Sequence, residues 1–281
     1  MRGRGLALAA AVALATMATA DARAEERIVS LGGSLTETVA ALGLGDAIVG
    51  VDQSSLRPPE VAKRAPRVGS PRAVPLEAIL AVSPTVVVAY DDLDPPGVLP
   101  GLRGLGVRVV TVPRRPDVDT ARRKVLAIAE GLGVPERGRH LLAEIDRDLA
   151  WPEAKPRPAR KVRVLFVQSM GSGPLMISGT GTSAAALMEA AGVENAVTAF
   201  AGYRPLNAEA ALAVDPEAIV ILKRALERIG GLSGLAATPG LGDTKAVREN
   251  RVVVSDDAAF LGLGPGLGKA VRDLREAVYG E

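Results

Sequence analysis

The chain contains short runs of consecutive apolar residues, each preceded by a short amphipathic segment. Two of these runs, at 86–89 and 218–222, consist almost entirely of Val, Ile, Leu and Ala. No residue within them would favour water on either face, which is typical of parallel strands buried between layers of helices. The segments before the runs begin near a proline or Asn207 and end at a second proline, as short helices do. The pattern therefore predicts an α/β protein.

One unit of helix, turn and buried strand is written twice in the sequence. It occupies residues 72–89 and again residues 204–221, and in register Arg72 aligns with Arg204 and Glu77 with Glu209. Solenoid repeats recur every 20 to 50 residues or so, and these two copies lie much farther apart. The repeat therefore predicts two similar Rossmann-like lobes with parallel-rich sheets and a ligand cleft between them.

The rest of the chain predicts alternating strands and helices. Ser34 and Glu37 have the spacing of a capping box, which predicts that a helix starts there. Strands are predicted at 27–31, 46–51, 86–89, 107–112, 162–167, 218–222 and 251–255. Helices are predicted at 34–42, 99–105, 118–132, 135–149 and 182–191, near Ala225, and up to Tyr279. Loops are predicted at 53–71, 170–181, 230–240 and 261–268.

The alternation breaks at residues 135–149, where a second helix follows the first without a strand between them. Its apolar residues lie on one side, and residues 151–161 after it are rich in proline and charge, as domain boundaries are. We therefore predict an N-terminal lobe at 25–134, a long interdomain helix at 135–152 and a C-terminal lobe at 153–281.

The first 24 residues have the features of a secretory signal peptide. Arg2 and Arg4 precede an apolar run that is too short to span a bilayer, and residues 22–24 form a small-x-small cleavage pattern. Removing them takes away three basic residues and one acidic residue, so the totals of 34 and 32 become 31 and 31. We therefore expect an exported, periplasmic protein with a neutral mature chain.

Composition excludes several classes of protein. The neutral mature chain has no basic stripe with interleaved aromatic residues, which argues against nucleic-acid binding. The chain has no cysteine, so it forms no disulfide and carries no lipidated cysteine. The glycines of 262–268 do not match a phosphate-binding loop, because Leu263 and Ala270 stand where Gly and Ser or Thr are required. The single histidine, His140, lies in a predicted helix, so no Ser-His-Asp triad can be argued, and its being alone argues against the multi-histidine zinc and manganese sites.

Four stretches together resemble the periplasmic substrate-binding proteins of ABC importers, of the two-lobed class that serves haem, cobalamin and siderophore uptake. These stretches are residues 27–37, 71–80, 202–206 and 261–265, and the similarity is greatest to the hemin-binding members. The resemblance covers essentially the whole mature chain. It implies a monomeric, non-enzymatic protein that binds haem as a transported ligand and delivers it to an ABC permease dimer with its ATPase. Cobalamin or a ferric siderophore is the alternative ligand, and a secreted two-lobed α/β enzyme is a remote alternative.

The resemblance gives the repeated glutamates a function. In such proteins one exposed acidic residue per lobe meets arginines of the permease, which assigns docking to Glu77 and Glu209. A two-lobed protein that sits on a two-fold symmetric permease would need such a pair. Alternatively, both are ordinary glutamates that the helix dipole favours in a first turn.

Haem requires cations for its two propionates and an axial ligand for its iron. Arg72 and Arg204 stand at equivalent places in the two lobes and are the predicted cations, with surface arginines as the alternative.

The axial ligand is harder to predict, because this sequence departs from the family at the positions of the usual ligands. The family carries a tyrosine where Ser70 stands, and some members carry a histidine where Met170 stands. Tyr90, Tyr203 and Met170 are the remaining candidates, and phenolate suits ferric iron better than a thioether does. Tyr90 follows the carboxyl end of a predicted parallel strand, where ligands of open α/β sheets bind. For all three side chains, packing is the alternative role.

Overall fold

A computed structural model describes residues 26–71, 73–150, 160–169, 173–255 and 257–280, apart from the side chains of 257–259. The predicted signal peptide, Arg72, Met170 and most of the predicted boundary segment 151–161 lie outside the described residues. Within these ranges no helix is both long enough and apolar enough to cross a bilayer.

The N-terminal lobe is built on a four-stranded parallel sheet with strand order β2-β1-β3-β4. Successive residues of the central strand β3 face opposite layers of the core, Val86 and Val88 one layer and Val87 and Ala89 the other. This double burial explains why the strand is apolar throughout. The strands are β1 (Ile28–Leu31), β2 (Ile48–Val51), β3 (Val86–Tyr90) and β4 (Arg108–Val112), and the helices are α1 (Gly33–Val39), α2 (Pro59–Arg64), α3 (Leu76–Leu80), α4 (Val98–Gly104) and α5 (Val118–Gly131), followed by α6 (Pro135–Ala150).

The C-terminal lobe has a mixed sheet with strand order β10-β9-β5-β6-β8. Strands β10, β9 and β5 are parallel, β6 and β8 are added antiparallel, and β7 pairs with the start of β5. The strands are β5 (Arg163–Ser169), β6 (Leu175–Ser178), β7 (Glu194–Asn195), β8 (Tyr203–Pro205), β9 (Ala218–Leu222) and β10 (Val252–Ser255). The helices are α7 (Ser183–Ala190), α8 (Ala208–Val214), α9 (Lys223–Arg228), α10 (Gly231–Ala237), α11 (Lys245–Arg248), α12 (Asp257–Gly262) and α13 (Leu267–Tyr279).

Helix α6 connects the two lobes, as its place in the sequence predicts, because it packs against α5 on one side and α13 on the other. Ion pairs fasten both contacts: Arg122 of α5 lies 2.8 Å from Asp146, and Arg272 of α13 lies 2.8 Å from Asp148. Glycine permits the close approach to α13, since a Cβ on Gly268 would lie 2.6 Å from the Asp148 Cβ. The long helix therefore forms a continuous three-helix layer with one helix of each lobe.

The repeated sequence unit folds as predicted in both lobes. α3 leads into β3 and α8 leads into β9, and both strands lie in the middle of parallel strands. The α/β fold with two lobes is therefore confirmed. The predicted loops were only partly correct, because α2, β6 and α10 lie within segments that the sequence predicts to be loops, and β8 lies where no strand was predicted.

The capping-box prediction for Ser34 was wrong. Helix α1 begins one residue earlier with Gly32 as its N-cap, and its first N–H, that of Gly33, donates to Ser54 Oγ at 3.0 Å. Gly32 has φ of 139°, and a Cβ there would lie 2.7 Å from the Tyr90 ring, so only glycine fits. Ser34 lies inside the first turn, and its hydroxyl bonds to Tyr90 instead of the backbone.

Candidate functional site

Two adjoining cavities lie between the lobes, beyond the carboxyl ends of β1, β3 and β4. Their volumes are about 370 Å³ and about 340 Å³, within the range of small-molecule sites. We call them the front and rear compartments. The front compartment is lined mainly by the N-terminal lobe, with Arg224, Leu261 and Gly262 from the C-terminal lobe. The rear compartment is lined by residues of both lobes, and Tyr90, Arg114, Leu261 and Gly262 are common to the two.

Tyr90 and Arg114 form the wall between the compartments. Each follows or ends a parallel strand of the N-terminal lobe, which places both at the ligand-binding edge of the sheet. The Arg114 guanidinium lies over the Tyr90 ring, 3.9 Å from its centroid, and its Nε is 2.9 Å from Asp92. Burial raises the pKa of Tyr90, which keeps its phenol neutral.

The Tyr90 hydroxyl is part of a buried polar chain that reaches the other lobe. It lies 2.7 Å from Ser34 Oγ, and the Lys124 ammonium donates to the same Ser34 oxygen at 3.0 Å. Lys124 also donates to the backbone carbonyl oxygens of Gly262 at 3.2 Å and Leu263 at 3.1 Å. Burial lowers the pKa of Lys124 to about 8, and the negative charge of the nearby Glu37 opposes this decrease. The side chain is therefore mostly charged at pH 7.

Tyr203 enters the rear compartment from the C-terminal lobe. Its ring packs at 6.4 Å from Phe166, and its hydroxyl lies at the start of α7, where Thr182 and Ala184 are its hydrogen-bonding partners. Burial raises the pKa of Tyr203, and those two hydrogen bonds oppose the rise. The two tyrosines that the sequence proposes therefore line the same compartment from opposite lobes.

Charged residues surround the front compartment. Arg57 and Arg114 line it from the N-terminal lobe and Arg224 from the C-terminal lobe. The Asp52 carboxylate also lines it, but Ser54 and Ser55 donate hydrogen bonds to that carboxylate at 2.9 and 2.7 Å. Glu37 is the second carboxylate of the lining, so the compartment combines arginines of both lobes with two acidic residues of the N-terminal lobe.

The cavity linings do not include the predicted arginine of the C-terminal lobe. Arg204 is exposed on β8, with its guanidinium over the Phe200 ring at 4.6 Å from the centroid. Its equivalent Arg72, like Met170, lies outside the described residues. Ser70 is half-buried and pairs with Ala73 in an isolated β-bridge. Ser70 does not line the front compartment, although its neighbour Pro71 does.

The sequence-based search missed Arg114, Arg224 and Lys124. The first two lie two residues after the ends of strands β4 and β9, so the argument that selected Tyr90 applies to them as well. Lys124 lies on the same stripe of α5 as the buried Ala121, Val125 and Ile128. A lysine on the apolar face of an amphipathic helix is unusual, and this position could have identified Lys124 as a candidate functional residue.

The glutamates predicted to dock lie away from both compartments. Glu77 and Glu209 are each the second residue of a helix, α3 and α8, and both side chains are exposed. His140 is 76% exposed on α6, beside Glu144. Across the described residues, no group of three or more His, Asp or Glu side chains is placed to hold a metal ion.

A family profile described as "Periplasmic binding protein" matches residues 28–259. Among solved structures, the apo periplasmic heme-binding protein RhuT from Roseiflexus sp. RS-1 is 36% identical with a TM-score of 0.83, covering 91% of this chain and 98% of that one. The periplasmic heme-binding protein BhuT, solved with two hemes, is 36% identical with a TM-score of 0.81, covering 90% and 97%.

Curated relatives add a transport context. An uncharacterized ABC transporter substrate-binding lipoprotein, YvrC of Bacillus subtilis (strain 168), is 26% identical over 90% of this chain and 80% of its own length. The vitamin B12-binding protein of Yersinia pestis (strain Pestoides F) is 40% identical, but over only 36% of each chain.

Proposed function

The chain belongs to the periplasmic binding protein family, and from that premise we propose that it captures haem in the inter-lobe cleft and delivers it to an ABC permease. The haem-binding neighbours match the chain over nearly its full length, whereas the vitamin B12-binding relative matches about a third of it. This difference in extent favours haem over cobalamin.

The observation that carries the proposal is the composition of the cleft. Leu56 and Leu261 line the front compartment from opposite lobes and remain 47% and 41% exposed, which leaves apolar surface for a flat macrocycle. Arg57, Arg114 and Arg224 surround the same space and suit two propionates. A ligand with an apolar body and an anionic edge matches this arrangement.

We assign the haem iron to Tyr203, which lines the rear compartment, so the macrocycle must extend from the front compartment past Leu261, which is common to both. Its hydroxyl lies at the N-terminus of α7, whose dipole and N–H groups favour a phenolate. The Tyr90 hydroxyl is held by Ser34 and its ring is covered by Arg114, which suits a wall residue. A ferric iron would displace the phenolic proton on binding.

The protein carries out no chemistry on its ligand in this proposal. It acts as a monomer in the periplasm after removal of residues 1–24, and its docking residues for the permease are Glu77 and Glu209. Their place at equivalent, exposed positions of the two lobes supports this assignment.

Titration of the purified mature protein with hemin tests the proposal. We expect a saturable shift of the Soret band at micromolar hemin. Arg114→Gln and Arg224→Gln should each weaken binding about tenfold, because each removes one charged hydrogen bond to a propionate. Arg103→Gln, at an exposed position of α4, is the matched control.

Cobalamin and a ferric siderophore are titrated in parallel. No saturable change with hemin, together with tight binding of cobalamin, would replace haem by the alternative ligand. No binding of any of the three would remove the proposal.

A further inference from the structure

The inter-lobe seam contains a buried lysine whose three hydrogen-bond acceptors all belong to the cleft wall. Lys124 is 4% exposed, and its ammonium group has three donors and three acceptors within 3.2 Å. One acceptor is Ser34 Oγ of its own lobe, and the other two are the carbonyl oxygens of Gly262 and Leu263 of the opposite lobe. A buried cation this fully matched is costly to form and costly to disrupt.

The acceptors are residues that line the ligand compartments. Ser34 and Gly262 line the front compartment, and Gly262, Leu263 and Lys124 itself line the rear one. The lobes also approach closely here, since a Cβ on Gly262 would lie 2.9 Å from the Ser34 Cβ. The ammonium therefore joins the two walls of the cleft at the point where they meet.

We propose that Lys124 is a positioning residue of the ligand site, which fixes the two cavity walls at the separation required for binding. The inference rests on the proposed function and adds to it the residue that sets the cleft's inter-lobe geometry. Lys124 acts through Ser34, Gly262 and Leu263, and its direct partners are protein groups. Preorganisation of this kind raises affinity, because the ligand need not select a rare arrangement of the lobes.

The inter-lobe distance can be measured directly with labels attached to introduced cysteines. It has no cysteine, so Arg103→Cys on α4 and Arg228→Cys on α9, both at exposed positions of opposite lobes, introduce two unique sites for spin labels. Electron–electron distance measurements on the ligand-free protein then report how the lobes are held. In this labelled background we expect a single narrow distance distribution.

Lys124→Met removes the three donors at similar volume. We expect it to broaden the distance distribution. Hemin binding should weaken about tenfold if the fraction of molecules with the lobes in the binding-competent arrangement falls tenfold. Lys124→Arg, which keeps charge and donors, should restore much of both. Lys63→Met, at an exposed lysine of α2, should change neither.

Two further arms keep the test decisive. Lys124→Gln is measured if Lys124→Met does not give a native circular dichroism spectrum. In the unmodified protein, a small acylating reagent should reach Lys124 roughly 100-fold more slowly than Lys63, because reaction needs the seam to open. Equal reaction rates, or an unchanged distance distribution in the folded variants, would overturn the inference. The ligand-free distances test Lys124 even if hemin does not bind.

Discussion

At the scale of single residues, the cleft assigns different environments to two chemically identical side chains. Tyr90 is buried, is covered by Arg114 and bonds to Ser34, whereas Tyr203 is half-buried at the start of a helix. Burial raises the pKa of both phenols, and they differ in their partners: Ser34 for Tyr90, and Thr182 and the Ala184 backbone for Tyr203.

Phenylalanine substitutions separate these two roles. Tyr203→Phe should remove the phenolate-to-iron charge-transfer band of the hemin complex and weaken binding by at least tenfold, because an iron bond is lost. Tyr90→Phe should keep that band and reduce affinity only a few-fold. Absorption spectra and hemin titrations of both variants check this. A band lost in Tyr90→Phe and kept in Tyr203→Phe would reverse the assignment.

The environment of the Glu217 carboxylate predicts that the stability of the folded protein depends on pH. Its carboxylate accepts hydrogen bonds from both terminal nitrogens of Arg160, at 2.6 and 2.5 Å, and from the Arg163 backbone N–H at 3.1 Å. The Arg160 contact is the main reason that the pKa of Glu217 is lowered to about 2. Because the folded-state pKa is depressed, this stability is present above the ordinary glutamate pKa and is lost as the pH falls towards 2.

Thermal unfolding at several pH values tests this contribution. Glu217→Gln should cost about 2 kcal/mol at pH 7, and the difference from the unmodified protein should shrink between pH 4 and pH 2 or so. Glu227→Gln is the control, because its exposed pair with Lys223 contributes little. A Glu217→Gln penalty that is the same at pH 7 and at pH 3 would contradict this account.

At the scale of elements, the lobes are joined by the packing of α6 between α5 and α13. Two glycines allow this packing: a Cβ on Gly138 would lie 2.4 Å from the Ala129 Cβ, and one on Gly268 would lie 2.6 Å from the Asp148 Cβ. Helices packed this closely cannot admit a methyl group without moving apart.

Replacing these glycines by alanine should therefore destabilise the protein, although alanine has the higher helix propensity. Gly268→Ala should destabilise the protein by about 1–3 kcal/mol through overpacking. Gly104→Ala, in a helix where an added Cβ meets no atom within 4 Å, should be neutral or slightly stabilising. Denaturant unfolding of the two variants checks the comparison. Equal effects would mean that α6 and α13 separate at little cost.

At the scale of the whole molecule, the proposed ligand site and the proposed docking residues lie on separate surfaces. The cleft lies between the lobes, while Glu77 and Glu209 are exposed on α3 and α8, one in each lobe. A change at the outer pair should therefore leave the cleft unaffected.

Charge reversal at the outer pair tests docking. Glu77→Arg with Glu209→Arg should leave the hemin affinity of the purified protein unchanged and reduce transport by the reconstituted permease at least tenfold, because in the proposed docking it would place like charges opposite the permease arginines. Glu60→Arg, an exposed glutamate of α2, is the control for added charge. Transport at the unmodified rate would assign both glutamates to an ordinary first-turn role.

Local sequence determined the elements, the two lobes and the connecting helix, because apolar periodicity, proline and glycine act over a few neighbouring residues. The repeated unit folded as predicted for this reason, and strand 218–222 was predicted to the residue. Strand β6 and the edge strand β8 were missed, because their pairing depends on distant partners and their segments are short and rich in glycine and polar residues.

Tertiary structure alone decided which side chains meet. Ser34, Lys124 and the carbonyl oxygens of Gly262 and Leu263 come from three distant parts of the chain, and no local pattern brings them together. The same holds for the arginines of the cleft: the sequence singled out the repeated Arg72 and Arg204, whereas folding placed Arg114 and Arg224 in the cavity wall. Repetition in a sequence records a shared local structure, whereas the described residues that line this binding site all lie outside the two repeated units.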